Sequence, residues 1–149
     1  MQFFINRLSL REFDLENENI KLVTYRITDD SYIYKIYRKE TNEHVGFCDL
    51  RVGHDTMLYY FGNIGYRIFP QFRGNNYAYQ ASLLLFKLAK KLEMGYVIIT
   101  VSPENRPSVR VCQKLNGTYL ETVNVPQWHP LFRNNEKVKM IYRFDLKEY

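Results

Sequence analysis

The chain has 149 residues, 46% of them hydrophobic, enough to bury one core without covalent or metal staples, and it is expected to form a single domain over 1–149. No apolar run approaches the length of a bilayer span and Met1–Arg7 lacks the apolar stretch of a secretory leader, so a cytoplasmic protein with no membrane partner is expected. The formal net charge of +5 favours an anionic partner without choosing among a phosphorylated cofactor, an acidic protein and nucleic acid.

Taken in chain order, Lys21 to Ile27 and Ser31 to Arg38 are rich in β-branched and aromatic residues and flank Thr28-Asp29-Asp30, which predicts two antiparallel strands. Thr41-Asn42-Glu43 turns the chain into a third strand, His44 to Val52. The polar segment Gly53 to Thr56 leads to a fourth, Tyr59 to Phe69, whose Gly62 and Gly65 suggest a bulge or a ligand lying against the backbone. Between Tyr77 and Glu93 the apolar residues Ala78, Ala81, Leu84, Leu85, Leu88, Ala89 and Leu92 recur at helical spacing, with Lys87, Lys90 and Lys91 on the solvated side. Gly95 stops this helix, and Tyr96 to Val101 is apolar on both faces, as an interior strand would be. A helix from about Arg106 to Leu115 follows, then strands Thr118 to Val125 and Lys137 to Leu146. The loop between those strands, 126–136, holds the only tryptophan, and its length suggests an acceptor-binding lip.

Cys48 and Cys112 lie outside any CxxC pattern and should be reduced thiols, and His44 with Cys48 makes only half a metal site, so no metal is expected. No interleaving of basic and aromatic residues resembles a base-stacking platform, which leaves nucleic-acid or ribosome association as a minor alternative.

The most telling stretch is Ile64 to Ala78, where an apolar strand breaks at Pro70 into a Gly/Asn turn that opens a helix. The free N–H groups of a helix's first turn converge with partial positive charge and favour a bound anion, and Gly74 lets a ligand approach the backbone. A second signal, Asn105-x-x-Ser108-x-x-Val111-Cys112-x-Lys114-Leu115, follows the apolar strand. Together they point to a nucleotide-containing cofactor.

These motifs resemble the GNAT family of N-acetyltransferases over roughly Tyr34 to Leu146. The resemblance implies a mixed α/β (α+β) fold with a mostly antiparallel central sheet, a splayed parallel strand pair and flanking helices. In that family the turn reads Arg/Gln-x-x-Gly-x-Gly/Ala and wraps the pyrophosphate of acetyl-coenzyme A (acetyl-CoA). Here Gln71, Arg73, Gly74, Asn75, Asn76, Tyr77 and Ala78 occupy it. Asn76 replaces the second glycine, a tolerable change if the position needs φ > 0. By the same resemblance Tyr66, Arg67 and Ile68 would lie along the pantetheine, with the Ile68 N–H as oxyanion donor. Asn105 and Ser108 would complete the cofactor site, Asn105 serving equally as a helix cap.

The implied activity is acetyl transfer from acetyl-CoA to a primary amine of a small molecule or protein, the alternative being a non-catalytic acyl-CoA-binding module. Cys112 stands where many relatives have an acidic tyrosine and is either that acid or a packed side chain. The region before the turn offers no carboxylate, so the candidate proton acceptors are His54, Asp49 and His129. Tyr59, Tyr60, Trp128 and Phe132 are either an acceptor cleft or ordinary core and loop residues, and a homodimer is an open expectation.

Overall fold

Alternation of apolar and polar residues over 20–51 is realised as three antiparallel strands, β1 (Ile20–Ile27), β2 (Ser31–Arg38) and β3 (Glu43–Arg51), in a computed structural model that describes residues 15–149. The reading of Met1–Arg7 lies outside the described residues. Tyr32, Tyr34, Ile36, Cys48 and Leu50 point to one face and are buried, while their neighbours point to the other. Thr28 closes the first turn, its hydroxyl accepting from the Ser31 N–H at 3.1 Å. β4 (Ile64–Ile68) adds to β3 and completes a sheet of order β1-β2-β3-β4.

The expected fourth strand is therefore too long by half. Residues Thr56–Phe61 form a helix, α1, which Asp55 caps by accepting from the Leu58 N–H at 2.9 Å. Tyr59-Tyr60-Phe61 favour a strand by propensity, yet tertiary contacts decide: the Tyr60 carbonyl accepts from Thr100 Oγ1 at 2.8 Å, and its ring packs edge-on against Trp128 and His129.

α2 (Tyr77–Lys91) matches the helical spacing. It buries Ala81, Leu84, Leu85, Leu88 and Ala89, leaves Lys87, Lys90 and Lys91 exposed, and also buries Phe86 against Phe144 and Tyr149. The chain continues through β5 (Tyr96–Val101), α3 (Arg106–Lys114), β6 (Thr118–Asn124), a short helix α4 (Pro130–Arg133) inside the expected loop, and β7 (Val138–Asp145). A second sheet has the order β5-β7-β6. β5 is thus an edge strand of its own sheet, but Val97, Ile98, Ile99 and Val101 are buried because β4 and the helices close over it. Among the described residues no helix is long and apolar enough to cross a membrane.

One side chain joins the two sheets. Asn63, 1% exposed, donates its amide N–H groups to the carbonyls of Arg51 (2.9 Å) and Gly53 (2.8 Å) and accepts from the Ile98 N–H at 2.8 Å. Its backbone N–H donates to the Ile98 carbonyl at 2.7 Å, and its carbonyl accepts from the Arg51 N–H at 2.7 Å. Every polar group of the residue is satisfied from both sheets at once.

Asn63→Leu keeps the volume but orphans two carbonyls and an N–H, each costing about 1–3 kcal/mol when buried. A loss of at least 3 kcal/mol in urea unfolding is expected, and a loss under about 1 kcal/mol would show that the junction is held by other contacts.

Candidate functional site

Beyond the Asn63 junction the sheets part, and β4 has no strand partner on its β5 side. The Arg51 N–H donates to the Asn63 carbonyl and the Phe69 N–H to the Val45 carbonyl, which fixes the alternation of the β3/β4 ladder. The peptide groups of Tyr66 and Ile68 consequently turn away from β3 and into the gap. An added strand-like ligand could pair with them.

The gap opens into a cavity of about 650 Å³, within the range that holds a cofactor. Its walls are the end of β4 (Tyr66, Arg67, Ile68), the turn and first residues of α2 (Arg73, Gly74, Asn75, Asn76, Tyr77, Ala78), and the start of α3 (Asn105, Ser108). Gln71 is the one expected cofactor residue that does not line it. It sits exposed in the 3-10 turn Pro70–Phe72.

The turn has the geometry that the substitution at Asn76 required: Gly74 has φ +87° and Asn76 φ +60°, left-handed conformations that glycine and asparagine tolerate best. A Cβ on Gly74 would have no neighbour within 4 Å, so its conformation, not crowding by the protein, calls for glycine. α1, α3 and α4 each have a side chain accepting from their first-turn N–H groups, from Asp55, Asn105 and His129. α2 has none, and no acidic residue in its first turn, so its N–H donors remain available where the helix meets the cavity.

Around this helix end the charge is positive. Arg73 folds back so that Nε donates to the Ile68 carbonyl at 3.1 Å, and Arg110 and Lys114 reach the cavity from α3, with Lys114 Nζ 4.5 Å from the centre of the Tyr79 ring. Sequence reasoning missed Arg110 and held Lys114 only as a position of the Asn105 motif, although their i, i+4 spacing places them on one face of the helix that Asn105 begins. The Asn105 side chain caps α3 by accepting from the Ser108 N–H at 3.4 Å, and the Tyr66 hydroxyl donates to Ser108 Oγ at 3.2 Å, tying β4 to α3 across the cavity.

A family model described as the acetyltransferase (GNAT) domain matches residues 3–118. The chain belongs to the GNAT acetyltransferase family. It is 26% identical over 141 residues to the uncharacterized N-acetyltransferase YnaD of Bacillus subtilis (strain 168), covering 77% of this chain and 81% of YnaD. A GNAT-family acetyltransferase structure from Bacillus anthracis superposes with a TM-score of 0.69 at 16% identity, over 91% of this chain and 99% of that one. The microcin C7 self-immunity acetyltransferase MccE, in complex with acetyl-CoA and AMP, gives 0.61 at 16% identity over 78% of this chain and 62% of its own. These structural likenesses show a shared fold, the mixed α+β GNAT architecture with its parted strands.

Within this GNAT fold the expected catalytic side chains are scattered. His54 stacks on Tyr96 with ring centres 4.0 Å apart, and its Nε2 bonds the Tyr96 carbonyl at 2.9 Å, at the start of β5 and away from the cavity that lies beyond its end. His129 is buried with both nitrogens engaged: Nδ1 accepts from the Leu131 N–H at 3.1 Å and Nε2 donates to the Met57 carbonyl at 3.0 Å. It pins α4 to α1 and has no lone pair left for an amine proton. Cys112 is fully buried, and burial pushes its thiol up to about 12. It does not line the cavity, so the packed alternative is the one the structure supports. Of the expected acceptor cleft, Tyr59, Tyr60 and Trp128 do cluster, but Phe132 packs under Lys137, and none of the four lines the cavity. Asp49 is half-buried in an ion pair with Arg51 at 2.8 Å on the outer face of the first sheet.

Burial also raises the Cys48 thiol well above its ordinary value. Since the thiolate is the reactive form, neither cysteine should be alkylated by iodoacetamide at pH 8 in the native protein, and both should be in denaturant. Rapid native labelling of Cys112, read by peptide mass spectrometry, would restore it as an accessible acid.

Proposed function

We propose that the protein transfers the acetyl group of acetyl-CoA to a primary amine of a small molecule or protein. The observation that carries this reading is the uncapped start of α2, which presents free N–H donors and the left-handed Gly74 and Asn76 to a basic cavity continuous with the open edge of β4. In this reading the N–H groups of the turn and of Tyr77 and Ala78 hold the pyrophosphate, and Arg73, Arg110 and Lys114 supply charge around it. The Tyr66 and Ile68 peptide groups pair with the pantetheine arm, with Asn105 and Ser108 on the opposite wall.

Such an arrangement does two chemical things. It fixes the thioester beside an approaching amine, turning a bimolecular encounter into a positioned one. It also directs the Ile68 N–H at the carbonyl oxygen where charge develops on attack. The chain supplies this donor by geometry alone, because the ladder leaves that N–H unused by β3.

Acetyl-CoA at a hundred times its dissociation constant should stabilise the fold by about 2.7 kcal/mol, raising the thermal midpoint by about 5–10 °C, with a smaller rise for ATP at the same concentration. Equal shifts would reduce the cavity to a polyanion site, and stabilisation without release of free CoA on any amine would favour a binding module. In the same assay Gly74→Val should cost the fold about 1–3 kcal/mol, since a β-branched residue is strained at positive φ, and should abolish most of the acetyl-CoA shift. Gly74→Asn should retain it, and a full shift with valine would remove the turn from the binding site.

A further inference from the structure

Alternation on β3 and β4 sends Phe47, Asp49, Arg51 and Arg67 to the face of the first sheet opposite the buried Cys48 and Leu50 and the half-buried Tyr66. Asp49 lies across from Gly65 in the ladder. Arg51 is held on several sides: Nε donates to Asp49 Oδ2 at 2.8 Å, and Nη1 donates to the carbonyls of Phe61 and Gly62 at 3.0 and 3.1 Å, closing the end of α1. Its guanidinium therefore grips one carboxylate oxygen and turns the other, Oδ1, toward β4.

The consequence appears at Gly65. A Cβ there would lie 2.5 Å from Asp49 Oδ1 and 2.6 Å from Arg51 Nη2, closer than real side chains allow. Glycine at 65 is what lets the carboxylate cross from β3 and lie over β4. β4 itself carries no acidic side chain, so its neighbour delivers one. The Asp49 side chain is 22% exposed, so the carboxylate is not sealed from solvent.

We propose that Asp49 is the catalytic proton acceptor for the attacking amine, with Arg51 as the positioning residue that aims it. This rests on the acetyl-transfer reading above. An ammonium substrate gives one proton to Asp49 Oδ1 and becomes a neutral amine. Its nitrogen lone pair forms the N–C bond to the thioester carbonyl, the C–S bond breaks with its electron pair on sulfur, and the sulfur takes a second proton from the nitrogen. The products are the amide and free thiol, and Asp49 releases its proton to water. Burial raises the Asp49 pKa above the ordinary aspartate value despite Arg51, which makes the carboxylate a better base than an exposed one.

The test uses the full chain, acetyl-CoA and a panel of tyramine, spermidine and a peptide with a free N-terminal amine, following release of CoA thiol. Asp49→Asn, which keeps the size of the side chain and a contact to Arg51, should lower kcat about 100-fold or more while leaving the dissociation constant for acetyl-CoA unchanged. In Asp49→Ala, added formate should restore turnover about tenfold, because a small carboxylate can enter the space over Gly65. A kcat near wild type in Asp49→Asn overturns the assignment. So does a loss that formate leaves untouched and that is matched by weaker acetyl-CoA binding, the mark of a structural role. Absence of turnover by the unaltered protein on every amine would instead fail the acetyl-transfer reading, and Asp49 with it.

Discussion

The structure depends on the burial of one fully bonded amide. Asn63 satisfies groups on β3, on the segment leading to α1 and on β5 from a single side chain, and burying it is favourable only while all of these partners are present. That requirement brings the two sheets into contact at one place and leaves them free to diverge beyond it. The gap along β4 follows from joining twisted sheets at a point where a continuous ladder would have closed the edge. A strand edge with unused peptide groups invites aggregation when exposed, and here α2 packs against β4 and the edge faces the cavity that Tyr66 and Ser108 bridge.

Electrostatics then gives the gap its preference. Among the described residues three α-helices close their own first turns with side chains and one does not, and that one begins at the cavity. Arg73, Arg110 and Lys114 converge on the same space from two elements, so the field there exceeds what the net charge of +5, spread over a whole surface, would provide. The outer face of the first sheet differs in kind. There a single carboxylate is oriented by a guanidinium that is itself fixed by backbone carbonyls.

Local patterns in the sequence revealed β1 to β3, α2, β5 and the turn between β4 and α2, because alternation, helical period and turn chemistry are short-range signals. They failed at α1, where tyrosines and a phenylalanine that prefer strands are drawn into a helix by Thr100, Trp128 and His129, residues forty or more positions away in sequence. The left-handed conformation expected of Asn76 is present. The fate of Cys112 was undecidable from spacing, since a helix position facing the core and one facing a cavity share the same period. His54 and His129 looked available only because their carbonyl partners come from distant segments. Arg110 was not singled out and Lys114 stood only within the Asn105 motif, because the cavity they reach exists only in the folded chain.

Trp128 is the sole tryptophan, and it stands 58% exposed on the loop before α4 with its ring edge-on to Tyr60, 6.4 Å between centres. Selectively excited tryptophan fluorescence therefore originates at one address, the seam between α1 and the segment leading to α4. Emission will follow the docking of that segment, whereas circular dichroism follows the two sheets. Coincidence of the two signals during unfolding is then a measure of how tightly that loop is coupled to the core that Asn63 joins.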